Sequence, residues 1–454
     1  MDGFPVMGVP NSGDTAWMLA SAAMVLLMTP GLAFFYGGMV RARGVLNMIM
    51  MSISAMGLVT VLWVLYGFSM SFGNDTSKLF GNPTQFFGLK GLFSAANGVA
   101  GVAAVPASGS TPAVAAVAEV DIPLFGTLPA LVFVMFQLMF AIITVALISG
   151  AIADRLKFGS WLVFAGLWAT IVYFPVAHWV FDFDVKDAAG NVIHHGGWIA
   201  NHLQAIDFAG GTAVHINSGA AGLALCIVLG KRKGWPGTMM RPHNLPFVML
   251  GAGLLWFGWY GFNAGSALSA NASAAETFTT TTIATATAML SWLLVERIRD
   301  GHATTLGAAS GIVAGLVAIT PSCSSVNVLG ALAIGLIGGA VCALAVGLKF
   351  KFGFDDALDV VGVHMIGGLT GTLLIGFFAT DEAPAAVKGL FYGGGWSQLE
   401  KQAVGAFSVL LYSFVATLII GYAIKYTIGL RVSEEDEASG IDESQHAETA
   451  YELA

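Results

Sequence analysis

The sequence predicts an all-α membrane protein of eleven transmembrane helices, N-terminus outside and C-terminus inside, built as an inverted five-helix repeat plus one extra helix. Three observations predict it. Of 454 residues, 56% are hydrophobic and only 10% charged, whereas soluble domains carry about 25% charged residues. Apolar stretches near the length of about 20 residues that a membrane helix needs recur eleven times. The basic residues then sort to one side of those stretches.

In chain order the spans fall at roughly 15–38, 45–71, 128–153, 159–182, 208–230, 244–268, 277–296, 303–320, 327–349, 358–379 and 403–427. Charges, Pro or Gly mark the breaks, as in "RAR", "DRLK", "KRKGW", "ERIRD" and "KFKFGFDD". The segment 91–118 is rich in Ala, Gly, Ser and Pro and is expected to form an ordered loop or short surface helix. With residue 1 outside, 14 of the 19 Lys and Arg residues lie in inner loops; a twelfth span at 91–118 would put the later basic loops outside. The outer side then carries 13 acidic residues against five basic, so cations are favoured at its mouth and anions repelled. Solvated loop charges are the plainer alternative. The start "MDGFPVMGVPNSGDT" lacks a basic n-region, so no cleavable signal is expected. Cys226, Cys323 and Cys342 have no CxxC spacing, so neither a disulfide framework nor a metal cluster is expected.

Repeats of 15–230 and 244–380 would leave 403–427 as the extra helix of a transmembrane domain spanning 1–430. "DFAGGTAVHINSG" in the fifth span and "DVVGVHMIGGLTG" in the tenth each run from an Asp (Asp207, Asp359) through glycines to one histidine, His215 and His364. Helices five apart run in opposite directions, so such a repeat is inverted, with a substrate path at the interface of the halves. At 1.5 Å per residue both imidazoles reach near mid-membrane. Buried there, neutral imidazoles offer one donor and one acceptor each, suited to a small hydrogen-bonding molecule or to a proton relay. The ordinary alternative, two satisfied core histidines, is weakened by their symmetric placement. Asp207 reads first as an N-cap, and secondarily as electrostatic support for a cation at the entrance. Phe136 and Phe140 share a helix face; Trp179 and Phe181 lie in "HWVF", and Trp259, Phe262 and Ser266 in "WFGWYGFNAGS". Aromatic faces attract cations and a hydroxyl accepts hydrogen bonds, although packing is the commoner use of such residues.

The set "PGLAFFYGG", "FQLMFAIITVALISGAIADR", "PVAHW", "DFAGGTAVHINSG", "RPHNLP", "GWYGFNAGS", "GVHMIGGLTG" and "GLRV" resembles the bacterial type of the ammonium transporter (Amt) family, in the family's order, over about residues 15–452. The resemblance implies a homotrimer in the bacterial plasma (inner) membrane, one pore per subunit, with no cofactor and no metal. Ammonium is recruited outside and deprotonated, and ammonia passes two gate phenylalanines and a histidine pair; return of the proton by another route would make transport electrogenic. By position, Phe140 and Phe262 match the outer gate, His215 and His364 the pore pair, Ser266 the outer cation site and Asp207 the acidic residue behind it. The family's cation-π tryptophan falls on Phe181, a weaker π partner. Trp179 stands two residues away, and the insertion after Phe181 places Asp182 and Asp184 near the mouth.

The tail 431–454 holds eight acidic and, beyond Arg431, no basic residues, too charged to fold alone. A solvated tail is the plainer reading; under an inner face of opposite charge it would instead dock on the loops carrying "KRKGW" and "KFKFGFDD". The resemblance implies subunit coupling and a landing site there for a PII-type signalling protein. Partners are thus ammonium or ammonia, lipid, further copies of the chain and that protein, and no nucleic acid. A nucleophile–base or metal constellation is missing from the sequence, which disfavours an enzyme. The rival readings are a passive Rhesus-type gas channel and an ammonium sensor.

Overall fold

The computed structural model describes residues 4–107, 113–237 and 241–451. Among them, ten helices are long and apolar enough to cross a membrane. In chain order these are α1 (Ser12–Met39), α2 (Val45–Phe72), α3 (Ala130–Ile152), α4 (Phe158–Phe181), α5 (Gly211–Leu229), α6 (Leu245–Gly265), α7 (Ala272–Asp300), α9 (Val328–Phe352), α10 (Val361–Phe378) and α11 (Ser397–Thr427). Between α7 and α9 lies α8 (Thr305–Ile319), apolar but shorter. Its 15 residues reach about 22 Å at the usual rise. The turns that continue it, residues 320–325, are buried, where irregular backbone at membrane depth is tolerated.

Local chemistry explains the helix starts. Asn11, Asn244, Asn271, Thr304 and Asn327 each accept a backbone N–H three residues on, opening α1, α6, α7, α8 and α9. The cap at Asn271 starts α7 earlier than the apolar run from 277 suggested. Around the core, α1 packs along α6, α7 lies against α8 and α9, and α11 covers α5 and α10.

The described residues of the segment 91–118, namely 91–107 and 113–118, contain no helix. The segment pairs with itself as an antiparallel ribbon, Val99 with Val120, Val102 with Val117 and Val105 with Val114. β-Branched residues at every third position disfavour a helix, and each valine exchanges two backbone hydrogen bonds with its partner. The ribbon rises from a small sheet of Val6–Gly8, Ile122–Phe125 and Leu128–Pro129. A hairpin of Val185–Lys186 and Val192–His194 carries the insertion after α4. These strands sit at the N-terminal face; the tail lies at the opposite face.

There the tail forms two short helices, Glu434–Ser439 and Ile441–His446. Asp442 accepts the N–H groups of Leu46 (3.0 Å) and Asn47 (2.8 Å), capping α2, which has no cap of its own. Gln445 accepts the N–H of Phe158 at 3.0 Å, at the start of α4. Glu437 accepts from the Lys233 N–H at 2.6 Å and pairs with Arg431, while its carbonyl accepts from Arg41 at 2.8 Å. The tail therefore meets "KRKGW" as expected. The "KFKFGFDD" carboxylate Asp355 instead turns inward, to a fork from Arg232 (2.9 and 2.8 Å) and to buried Arg155. Burial opposes its charge, but those guanidiniums hold Asp355 below the usual carboxylate range.

Candidate functional site

Two helix starts meet in the middle of the molecule. Asp207 ends the loop before α5. Its Oδ1 accepts the N–H groups of Gly210 and Gly211 (2.8 and 2.7 Å), its Oδ2 those of Thr212 and Ala213 (2.7 and 3.0 Å). Four otherwise orphaned donors are thereby satisfied. Gly210 turns the chain at φ 111°, and the helix opens with a π-helical turn, Gly211–Ile216, that carries His215. The second start repeats this at α10. There the capping carboxylate is Asp356, accepting from Val360 (3.1 Å) and Val361 (2.8 Å). The π-helical turn Val361–Met365 follows, and His364 stands on it.

This corrects the sequence pairing of Asp207 with Asp359. Aspartate and histidine are eight residues apart in both halves, which selects Asp356. Asp359 is instead the counterpart of Gly210, in the left-handed region at φ 63°, its carboxylate paired with Lys349 at 2.6 Å. Each start also rests on the other half: the Phe208 N–H donates to the Pro321 carbonyl, the Ala357 and Leu358 N–H groups to the carbonyls of Ala151 and Gly150. Gly219 and Gly368 let the helices cross in contact. A Cβ on Gly219 would strike the Met365 backbone, and one on Gly368 would come 2.9 Å from the Gly211 carbonyl.

The crossing brings His215 Nδ1 to 3.2 Å from His364 Nδ1, both rings buried. One Nδ1 must donate and the other accept, so the two Nε2 atoms are of opposite kind, one lone pair and one N–H. Either tautomer pair presents a donor and an acceptor to the lumen. Leu32, Phe35, Ile143, Leu147, Val313 and Trp259 wall that lumen, whose volume is about 10 Å³, at the threshold for one water. Trp259 stacks on His215 at 5.4 Å, and its Nε1 donates to Thr320 Oγ1 at 2.8 Å.

Phe262 lies above His215, ring centres 6.1 Å apart, and stacks on Phe140 at 4.2 Å. Phe140 in turn borders a cavity of about 260 Å³ at the N-terminal face, lined also by Phe181, Ser266, Gln137 and Asp182 among others. Phe181 meets Phe140 edge-on at 6.2 Å. The Ser266 hydroxyl donates to the Phe262 carbonyl at 2.8 Å, leaving its lone pairs to accept from a ligand. The structure thus brings Phe140, Phe181, Phe262, Ser266, His215 and His364, all singled out in the sequence, together along one line.

Two expected residues lie elsewhere. Trp179 does not line the cavity: its Nε1 donates to the Leu79 carbonyl at 2.8 Å, and its ring packs on Tyr412 at 4.8 Å and Trp198 at 5.9 Å. Two residues on from Trp179, Phe181 points to another side of α4, so one ring faces the cavity and the other packs away from it. Asp207 spends its oxygens on the helix start, behind the cavity wall. Gln137 went unassigned in the sequence; Asp182 was placed there only as a charge near the mouth, and Trp259 only among the aromatic candidates of its span. No group of three or more His, Cys, Asp or Glu that could hold a metal occurs among the described residues.

Known proteins resemble this chain in sequence and in fold. The family model described as Ammonium Transporter Family matches residues 16–451. An ammonium transporter of Mycobacterium tuberculosis is 70% identical over 460 residues, covering 100% of this chain and 93% of its own. One from Aquifex aeolicus is 45% identical, covering 98% and 94%. The crystal structure of Saccharomyces cerevisiae Mep2 superposes with a TM-score of 0.78 at 31% identity, covering 94% of this chain and 88% of that one. A sensor Amt protein superposes with a TM-score of 0.81 at 27% identity, covering 96% and 98%. Its family is one of membrane transport proteins, not enzymes, and this chain belongs to the ammonium transporter family.

Proposed function

We propose that this chain imports ammonium across a bacterial plasma membrane, recruiting the cation in the aromatic cavity, stripping its proton and passing ammonia between His215 and His364. The observation that carries the reading is the stack of a cation-attracting cavity, a closed phenylalanine pair and two hydrogen-bonded imidazoles. In the cavity, Phe181 and Phe140 offer π faces and Ser266 a lone pair, chemistry that fits N–H donors on a cation. Beneath Phe262 the lumen is apolar and too narrow for a hydrated ion, so charge is costly there and a neutral ammonia is the species that fits. The imidazole pair supplies it with one donor and one acceptor, and the exchange of tautomers suits a relay that carries the proton apart from ammonia. Transport is then electrogenic.

In this reading α8 completes eleven spans, the N-terminal face is outside and the tail face cytoplasmic, where Arg41, Arg43, Arg155, Lys231, Arg232 and Lys233 cluster. Three copies form a homotrimer with one pore each. The tail, tied by Asp442 and Gln445 to α2 and α4, is the surface a PII-type protein reads. Truncation after Arg431 is expected to leave an inserted protein whose uptake no longer responds to such a regulator; an unchanged response would remove that role.

The deciding experiment records current across a supported membrane holding purified protein on an ammonium pulse, for wild type and His215→Ala. A transient current in wild type, lost in the variant, is expected. No current in wild type, with rapid alkalinisation inside vesicles, would replace this reading with passive Rhesus-type ammonia conduction. Ammonium binding without either signal would point to a sensor.

A further inference from the structure

The cavity at the N-terminal face contains a carboxylate that the aromatic and hydroxyl groups do not account for. Asp182 follows Phe181 directly, lines the same cavity as Ser266, and its side chain is only 4% exposed. Oδ1 accepts from His194 Nε2 at 2.8 Å. Oδ2 accepts no hydrogen bond from any described residue. His178 Nδ1 lies 3.1 Å from Oδ2 but also 3.2 Å from the Ser71 carbonyl, and so divides itself between the two. A buried carboxylate oxygen without a donor is costly, and the residue that carries it lines the cavity to which the reading above assigns a cation with four N–H donors.

The surrounding charge does not cancel it. His178 Nε2 faces Asp75 at 3.1 Å, so any charge on that ring is shared with a second carboxylate. His194 stacks on Phe4, ring centres 4.1 Å apart, and faces Asp182 alone among acidic groups. Asp184 turns away, one oxygen accepting the Gly196 N–H at 2.9 Å. The group of Asp75, His178 and Asp182 is net negative whether or not His178 is charged.

We propose that Asp182 is the anionic ligand of the ammonium recruitment site, its Oδ2 accepting an N–H of the cation while Ser266 Oγ accepts another and Phe181 and Phe140 supply π faces. The proposal rests on the recruitment reading above and adds the residue that sets its affinity. It also gives position 181 a rationale. Phe is a weaker cation-π partner than Trp, and an adjacent, largely buried carboxylate supplies the attraction that the smaller ring does not. No proton moves in this step, in which Asp182 only binds.

The test is the initial rate of ¹⁵N-ammonium uptake into proteoliposomes at clamped potential, as a function of ammonium concentration, for wild type, Asp182→Asn and Asp182→Glu. Asp182→Asn is expected to raise KM about tenfold with Vmax within about twofold, and Asp182→Glu to recover most of the affinity. Thermal unfolding of each purified variant is read alongside. An unchanged KM in a folded Asp182→Asn protein overturns the proposal, and so does a loss confined to Vmax and thermal stability, which would mark a structural carboxylate. Should the wild-type rate rise linearly without saturating, recruitment itself fails; a saturating wild type with an indifferent Asp182→Asn removes only this inference.

Discussion

The starts of α5 and α10 share a skeleton and differ in what holds it. Both run aspartate, a left-handed residue, a π-helical turn and a histidine, and both lean on backbone carbonyls of the opposite half. At α5 the carboxylate takes four N–H groups and the left-handed residue is glycine, which adopts that geometry without strain. At α10 the carboxylate takes two, and the left-handed residue is Asp359, tied to Lys349. Next to it, Asp355 belongs to the Arg155 and Arg232 network, which extends through Asp154 to Arg41 and so to Glu437 of the tail. The shared skeleton places two imidazoles face to face. The difference separates a start closed in on its own backbone bonds from one wired to the charged face where the tail docks.

The largest expected effect breaks the closed start. Asp207→Ala strands four buried N–H donors, each costing about 1–3 kcal/mol if unpaired, with partial relief from water. Asp356→Ala strands two at a site that retains the Asp359–Lys349 pair and is expected to cost about 2 kcal/mol. Thermal unfolding of the detergent-solubilised variants should therefore show a fall for Asp207→Ala at least twice that for Asp356→Ala, or no folded Asp207→Ala protein at all. Equal falls would mean that the two caps carry the same load and that the extra bonds at Asp207 are incidental.

The same comparison shows what the sequence could reveal. Membrane spans are legible because their cause is local, a continuous apolar run between charged breaks; His215 and His364 stood out by their matching places in two glycine-rich spans, whereas Phe140 and Phe262 were singled out only through the family resemblance of the motifs that carry them. α8 (Thr305–Ile319) falls inside the span expected at 303–320, and its end is legible in the polar, proline-containing run "TPSCSSV" that follows. Asp359 drew attention because it opens the glycine-rich run, as Asp207 does, whereas the true equivalent is found by counting eight back from each histidine. Trp179 and Asp182 could not be sorted from sequence. Their orientation depends on where α4 ends and how the insertion folds back, and both are settled by contacts with residues about a hundred positions away or across the inserted hairpin. The tail's caps on α2 and α4 were equally hidden, since a helix lacking its own cap looks the same in sequence whether water or a distant Asp442 completes it.

The smallest effect sharpens the contrast through pH. Burial first, and the charge of Asp359 second, push the Asp356 carboxyl up to about 6, against Lys349 and two backbone N–H groups that favour its charged form. In the unfolded chain the same carboxyl titrates near 3.9. Between these values the folded protein holds a proton that the unfolded chain has released, so stability falls as pH rises. The contribution of Asp356 is thus fully present below about pH 4, is lost as pH rises through about 6, and changes no further above it. Asp356→Asn keeps one capping oxygen and cannot ionise. Unfolding temperatures of wild type and Asp356→Asn, taken across that range, should diverge to the disadvantage of wild type as pH increases and then run parallel. A constant offset would mean that Asp356 stays charged in the folded protein, and the inner start would then resemble the outer one more than its two hydrogen bonds suggest.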